Sequence, residues 1–220
     1  MNKKIAIVHT GFVSIDPLSR AFAEVCSQVD LVNIVDDSLL KEVMAANGPT
    51  AKVTQRMCWY FGAAEQLGAD LIVNACSSVG EIADVVAKTV RIPVIRIDAG
   101  MAEIAVDLGA RIALVATAPT TITPSRRLIE RIAVEKHKEI EVITRLCANA
   151  FPLLSQGDKA GHESAVIDEI YAAAQDADVV VLAQVSMAPL LDKLVGDIDV
   201  PVLASPVPGV QQAARVIGIL

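Results

Sequence analysis

Ala69-Asp-Leu-Ile-Val-Asn-Ala-Cys-Ser-Ser78 aligns without a gap with Ala177-Asp-Val-Val-Val-Leu-Ala-Gln-Val-Ser186, 108 residues further on. The same offset carries Ile92-Pro-Val-Ile95 onto Val200-Pro-Val-Leu203, and an offset of 107 carries Lys4-Ile-Ala-Ile-Val-His-Thr10 onto Arg111-Ile-Ala-Leu-Val-Ala-Thr117. A fixed period over most of a chain marks a duplicated structural unit. The 220 residues therefore read as two copies of one unit. Each matched segment is a short β-branched run that ends at Asn, Gln, Thr or Ser. Such runs suit central parallel strands covered on both faces by helices.

Strands are expected at Lys4–His9, Leu31–Val35, Leu71–Asn74 and Val94–Ile97, and again at Ile112–Ala116, Ile140–Leu146, Val179–Ala183 and Val202–Ala204. Amphipathic helices fall between them. Asp16-Pro17 supplies an N-cap and first-turn pair for one, and Thr123-Pro124 is expected to open another. Val53, Met57, Tyr60, Phe61, Ala64 and Leu67 recur at helical spacing before Gly68, a natural C′ residue. A helix is expected from about Val79, another around Ser164–Ala174, and another after Val179–Ala183. The closing Gly209–Ile217 helix is expected to pack back onto the first unit. The expected fold is α/β, with two pseudosymmetric parallel-sheet α/β/α lobes and a cleft between them. Residues 1–104 plus 206–220 would form the first lobe and 105–205 the second.

Composition agrees with this architecture. Hydrophobic residues make up 53% of the chain but only 3% is aromatic, so the bulk comes from the small and branched aliphatics that short strands need. A mean hydropathy of +0.50 raises the question of a membrane. No uncharged apolar run reaches the roughly 18 residues that a bilayer requires, because stretches such as Leu71–Val73 and Val179–Ala183 are closed by polar residues. Met1-Asn2-Lys3-Lys4 leads straight into a strand without a signal-peptide region, so a cytoplasmic location is expected. Nineteen Lys+Arg against 26 Asp+Glu give a net charge of −7, which argues against a nucleic-acid partner. Arg126–Arg127 is read as a solvated helix face. Cys26, Cys58, Cys76 and Cys147 form no CxxC pair and no cluster with His9, His137 or His162, so neither a metal site nor a disulfide framework is expected.

Loops after parallel strands gather at the carboxyl edge of each sheet, where open α/β folds bind ligands. There Asn74-Ala75-Cys76-Ser77-Ser78 places a thiol at the switch from strand to helix. The helix dipole and nearby N–H groups are expected to favour its thiolate, fitting it to act as acid, base or nucleophile. A buried free cysteine is otherwise a small hydrophobe, the reading adopted for Cys26 and Cys58 and left open for Cys147. Gln184 stands at the position equivalent to Cys76, with Ser186 beyond it. Glutamine hydrogen-bonds but exchanges no proton, so it either binds substrate or caps the strand end. Ala116-Thr117-Ala118-Pro119-Thr120-Thr121-Ile122-Thr123 offers hydroxyls and N–H groups as a seat for an anion, with Thr123 an ordinary N-cap. The equivalent loop carries His9, the only histidine at a strand end, which is either a hydrogen-bonded structural group or a second proton carrier. The acidic pairs Asp36–Asp37 and Asp197–Asp199 read as solvated turns. The loops around Asp36–Thr50 and Gln156–Glu163, which would set side-chain preference, show no pattern.

With Asn74-Ala75-Cys76, the Ala-Thr-x-x-Thr loop at Ala116–Thr120 and the Pro-Val strand starts at Pro93 and Pro201, the whole chain resembles the aspartate/glutamate racemase superfamily, which includes hydantoin racemases, maleate isomerases and arylmalonate decarboxylases. The resemblance implies two facing cysteines that move a proton at the carbon next to a carboxylate, without metal or pyridoxal cofactor. It implies Cys76 as the first of them, a small carboxylate substrate, and Asn74, Ser77, Thr117 and Thr120 as carboxylate holders, with Ser78 and Thr121 beside them. It also implies a homo-oligomer. The second cysteine of the pattern is replaced by Gln184. Racemisation then needs another proton carrier, either His9 or a water held by Gln184 and Ser186. The expected activity is a cofactor-independent isomerase or racemase-like reaction, the alternatives being a one-cysteine decarboxylase and a non-catalytic carboxylate-binding module.

Overall fold

Each half of the chain folds on one buried hairpinless pair of neighbouring strands. The structure, a computed structural model, describes residues 2–194, 196 and 198–220; Asp197, of the pair read as a turn, lies outside them. In the first half β1 (Lys4–His9) is followed by α1 (Ile15–Cys26), β2 (Asp30–Val35), α2 (Ser38–Ala45), α3 (Ala51–Gln66), β3 (Leu71–Asn74), α4 (Gly80–Val86) and β4 (Val94–Arg96). After α5 (Ala99–Leu108) the second half repeats the scheme with β5 (Arg111–Ala116), α6 (Pro119–Glu135), β6 (Glu141–Leu146), α7 (Ala150–Ser155), α8 (Lys159–Ala174), β7 (Val179–Leu182) and β8 (Val202–Ala204), and ends in α9 (Pro206–Val216). The sheets run β2-β1-β3-β4 and β6-β5-β7-β8, all pairs parallel. Equivalent registers place Ile5 against Leu71 and Ile112 against Val179.

Because successive side chains of a strand point to opposite faces, each sheet divides its residues between two cores. Ile5, Ile7, Leu71 and Val73 pack on Leu18 and Phe22 of α1, whereas Ala6, Val8 and Ile72 pack on Leu39, Val43, Met57 and Phe61 of α2 and α3. Ile112, Leu114 and Val181 meet Leu128, Ile129 and Ile132 of α6, and Ala113, Val115 and Leu182 meet Val166 and Ile170 of α8. Full burial of each of the valine, leucine, isoleucine, methionine and phenylalanine side chains among them contributes roughly 1.5–3 kcal/mol.

The two halves exchange a helix. α9, which follows the second sheet, buries Val210, Ala213 and Ala214 in the first-sheet core with α1, and α5, which follows the first sheet, buries Met101, Ala102, Ala105 and Val106 under the second. The two helices meet where Gly209 lies against β4's continuation: a Cβ there would stand 2.2 Å from the Ile97 carbonyl oxygen. Only glycine allows that approach.

Several elements differ from expectation in instructive ways. α6 begins at Pro119, which presets φ at the first helical position, so Pro124 lies inside the helix and Thr123 caps nothing. After β7 the chain forms a 3-10 segment, Val185–Lys193, rather than an α-helix, and Pro189 lies within it. The stretch Asp36–Thr50, which shows no pattern in sequence, contains α2. α3 matches its expected pattern closely: Thr50 Oγ1 accepts from the Val53 N–H at 3.1 Å, and Gly68 follows its end at φ +75°. Among the described residues no helix is long and apolar enough to cross a membrane.

Candidate functional site

The carboxyl ends of β1, β3, β5 and β7 open on one cleft of about 440 Å³ between the halves. Its floor is polar, with Thr10, Cys76, Ser77, Ser78, Thr121, Gln184 and Ser186. Its walls come from the turn after β1 and from α2 and α7.

Cys76 stands between β3 and the 3-10 turn Ser77–Val79 that leads into α4. The hydroxyls of Thr10 and Ser78 and the N–H groups of Ser78 and Val79 are the donors near its sulfur that favour a thiolate. Burial nevertheless dominates and pushes the thiol above its ordinary range, with the four donors offsetting only part of the rise. The expectation that the strand-to-helix switch favours the thiolate is thus reversed: the turn is short, and the loss of water outweighs its dipole. The resting form is the thiol, surrounded by donors ready to hold a thiolate once it forms.

The pseudosymmetric partner is built alike but closed. Gln184 Oε1 accepts from the N–H groups of Thr117 at 2.7 Å and Ala118 at 3.3 Å, which fixes which end of the amide is oxygen. Its Nε2 donates to Thr117 Oγ1 at 2.9 Å. Thr10 with Cys76 and Thr117 with Gln184 are therefore equivalent pairs. Gln184 both closes the end of the neighbouring strand and shows a face to the cleft, so the two sequence readings are not exclusive.

The other expected residues divide into cleft wall and support. Ser78 bridges the halves, its hydroxyl lying 3.0 Å from Thr120 Oγ1 and 3.1 Å from Thr121 Oγ1, and Ser77 donates to the Ala183 carbonyl at 3.0 Å. Ser186 lines the cleft. Asn74, Thr117 and Thr120 stand behind the wall: Asn74 Nδ2 holds the Cys76 carbonyl at 2.9 Å while its Oδ1 is buried without a partner.

His9 is not on the wall. It is 0% exposed, with Nδ1 2.7 Å from Ser14 Oγ and Nε2 2.9 Å from Asn33 Oδ1. Burial lowers its pKa, which the Asn33 contact only partly counters. Both ring nitrogens are engaged, Nδ1 by Ser14, which itself lines the cleft, and Nε2 by Asn33, so the ring ties the β1 turn to β2 and stands one hydroxyl behind the cleft. Cys147 is structural as well: its sulfur faces Asn149 Oδ1 and the Ala165 carbonyl, each at 3.4 Å, and burial, with the Glu169 charge, raises its pKa. Among the described residues no group of three or more His, Cys, Asp or Glu is placed to hold a metal ion.

Two contributions escape sequence reading. Thr10 is signalled only by its alignment with Thr117. The apolar residues Phe12, Val13, Leu40, Met44, Phe151 and Leu154 line the cleft, and their short helices lack the length for a periodic pattern. Beneath the site Arg96 and Asp98 form a bidentate buried pair at 3.0 and 2.8 Å, and Arg96 also donates to the Pro124 carbonyl of α6 at 3.2 Å. Burial would lower the arginine's pKa; Asp98, with Asp84 and Glu81, outweighs it and holds the guanidinium's pKa above its ordinary value.

A search of curated protein sequences finds no match. Among solved structures, glutamate racemase from Francisella tularensis subsp. tularensis SCHU S4, in complex with D-glutamate, superposes with TM-score 0.73 at 17% identity, over 99% of this chain and 81% of that one. Allantoin racemase from Klebsiella pneumoniae gives 0.73 at 17% over 99% and 89%, and aspartate racemase from Picrophilus torridus 0.74 at 14% over 99% and 95%. These likenesses carry the two-lobed fold. The sequence model of the Asp/Glu/Hydantoin racemase family matches residues 15–213, and the chain belongs to that family.

Proposed function

We propose that this protein is a cofactor-independent isomerase-type enzyme that moves a proton at the carbon next to the carboxylate of a small acid, with Cys76 as its single acid/base. The observation that carries this reading is the asymmetry of the cleft: a thiol cradled by four donors on one side, and on the other a glutamine whose amide is bound to the β5–α6 loop. The hydroxyls of Ser78, Thr121 and Ser186 would receive the carboxylate and the enolate-like charge that develops on it. Asn74, Thr117 and Thr120 act behind them as positioning residues. The Cys76 thiolate, favoured by donors of Thr10, Ser78 and Val79, takes the α-proton to give the carbanion and a thiol. The carbanion is reprotonated by that thiol on the same face, or on the other face by a water held by Gln184 and Ser186, whose hydroxide then takes the proton back from the thiol.

Decarboxylation is the second reading, favoured by the same asymmetry together with the raised thiol pKa. Loss of carbon dioxide creates the carbanion without a base, and a protonated thiol is then sufficient. Incubation in deuterated water with amino acids, hydroxy acids, maleate and 2-substituted malonates separates the readings. Deuterium uptake at the α-carbon or geometric isomerisation supports the isomerase, and a single labelled enantiomer formed from a malonate supports the lyase. No conversion across the panel, with ligand affinity unchanged in Cys76→Ala, would leave a carboxylate-binding module.

A further inference from the structure

The cleft has a second part that proton transfer does not use. Above the polar floor, Leu40 and Met44 sit four residues apart on α2, and Phe151 and Leu154 sit three apart on α7; each pair shares a helix face. The two helices occupy equivalent places in the two halves, each following the second strand of its half in chain order, and both contribute wall to the cleft. Phe12 and Val13 complete the rim and are 68% and 62% exposed. Large apolar side chains held open at the mouth of a cavity gain by being covered.

Charge points the same way. The only charged residues lining the cleft among those described are Asp37, the N-cap of α2, and Lys41 of α2, and they are paired with each other at 2.8 Å. Arg96, the buried guanidinium nearby, is held by Asp98 and does not line the cavity. A second carboxylate on the ligand would have to lose water against leucine, methionine and phenylalanine, with Lys41, already paired with Asp37, as the one cation lining the cleft among the described residues, a costly arrangement.

We infer that the acid accepted here carries one carboxylate on the hydroxyl floor and an apolar substituent, of branched-alkyl or phenyl size, packed between α2 and α7. The inference rests on the reading of the floor as the carboxylate seat. It separates this site from one built for aspartate or glutamate, whose second carboxylate needs a cation or a second set of hydrogen-bond donors, neither of which the apolar residues of α2 and α7 supply. The cavity volume of about 440 Å³ falls in the range of small-molecule pockets and leaves room for such a group.

Binding and turnover test it separately. Calorimetry on the full chain compares 3-phenylpropanoate with glutarate, two unreactive probes. The expected result is at least about tenfold tighter binding of the aryl acid, in line with roughly tenfold or more per methylene covered in an apolar pocket. Equal or tighter glutarate binding, or binding of neither probe, overturns the inference. Deuterium uptake by phenylglycine and leucine is then compared with that by aspartate and glutamate. Exchange confined to aspartate or glutamate also overturns it, while the acid/base reading survives. An aryl preference in binding without exchange of any acid supports the inference and sinks the acid/base reading. Met44→Arg should narrow the preference at least tenfold by supplying the missing cation, and Leu154→Ala should weaken the aryl acid alone. If both variants keep the wild-type preference, the α2/α7 wall is not the contact and the inference fails.

Discussion

Replacing Thr10 by valine removes one hydroxyl donor from the Cys76 sulfur and changes side-chain shape little. Thr10 is buried at the end of β1, and its contact is one of four that hold the thiolate form against the cost of burial. A hydrogen bond to a charged group is worth about 1.5–3 kcal/mol, and one pKa unit is about 1.4 kcal/mol. Thr10→Val should therefore raise the Cys76 pKa by a further ~1–2 units, cutting the thiolate present at a given pH by ~10–100-fold. The assay is alkylation by iodoacetamide followed from about pH 6 to 10, with peptide mapping to read Cys76 apart from Cys58, Cys26 and Cys147. Wild-type protein should show a Cys76 midpoint above that of an ordinary thiol, and Thr10→Val a midpoint higher still. A wild-type midpoint below the ordinary thiol range, or a Thr10→Val profile that overlays the wild type, refutes the reasoning about burial and donors.

Asp98→Asn removes the bidentate partner of the buried Arg96 guanidinium and leaves it, as counter-charge, only the longer contact to Asp84 at 3.6 Å, and should cost about 3–5 kcal/mol in urea unfolding. The double variant Arg96→Met/Asp98→Leu should cost less than that single change; the reverse order would show that the pair acts through something other than uncompensated charge. His9 sets a pH dependence of stability. Its folded pKa is lowered by burial, so the unfolded chain binds the proton more readily. The stability that neutral His9 contributes is whole above the unfolded value near 6.5 and is lost as pH falls toward the lower folded value, at up to about 1.4 kcal/mol per pH unit. Unfolding at about pH 7.5 and 5.5 should therefore show a smaller loss for His9→Gln than for wild type, and equal losses would contradict the burial argument.

The repeat makes the fold legible because it records symmetry twice: two sheets of the same strand order require matched apolar strands at a fixed interval, and Ala69–Ser78 with Ala177–Ser186 supply them. The strand ends are legible for the same reason, which is why Cys76 and Gln184 can be paired from the amino-acid sequence. What sits behind those ends is not. His9 looks reactive by position, yet its role depends on Ser14 and Asn33, which approach it only through the β1 turn and β2. The thiol's protonation could not be read from a dipole argument, because it is decided by how much water the assembled lobes exclude. α2 and α7 span only eight and six residues, too few for a helical period to stand out. Pro124 points to a helix start by local rule, and Pro119, five residues earlier, takes that place instead.

The central claim is that one sulfur carries the proton. The rate of α-deuterium incorporation in deuterated water, measured with phenylglycine and with aspartate, in wild type and in Cys76→Ala, tests it most directly, with 3-phenylpropanoate binding as the check that the variant's cleft is intact. General acid/base groups contribute about 10²–10⁴-fold, so the account predicts that Cys76→Ala loses at least ~100-fold in rate on whichever acid exchanges while keeping its affinity for the probe. Incorporation within a few-fold of wild type in Cys76→Ala would contradict it.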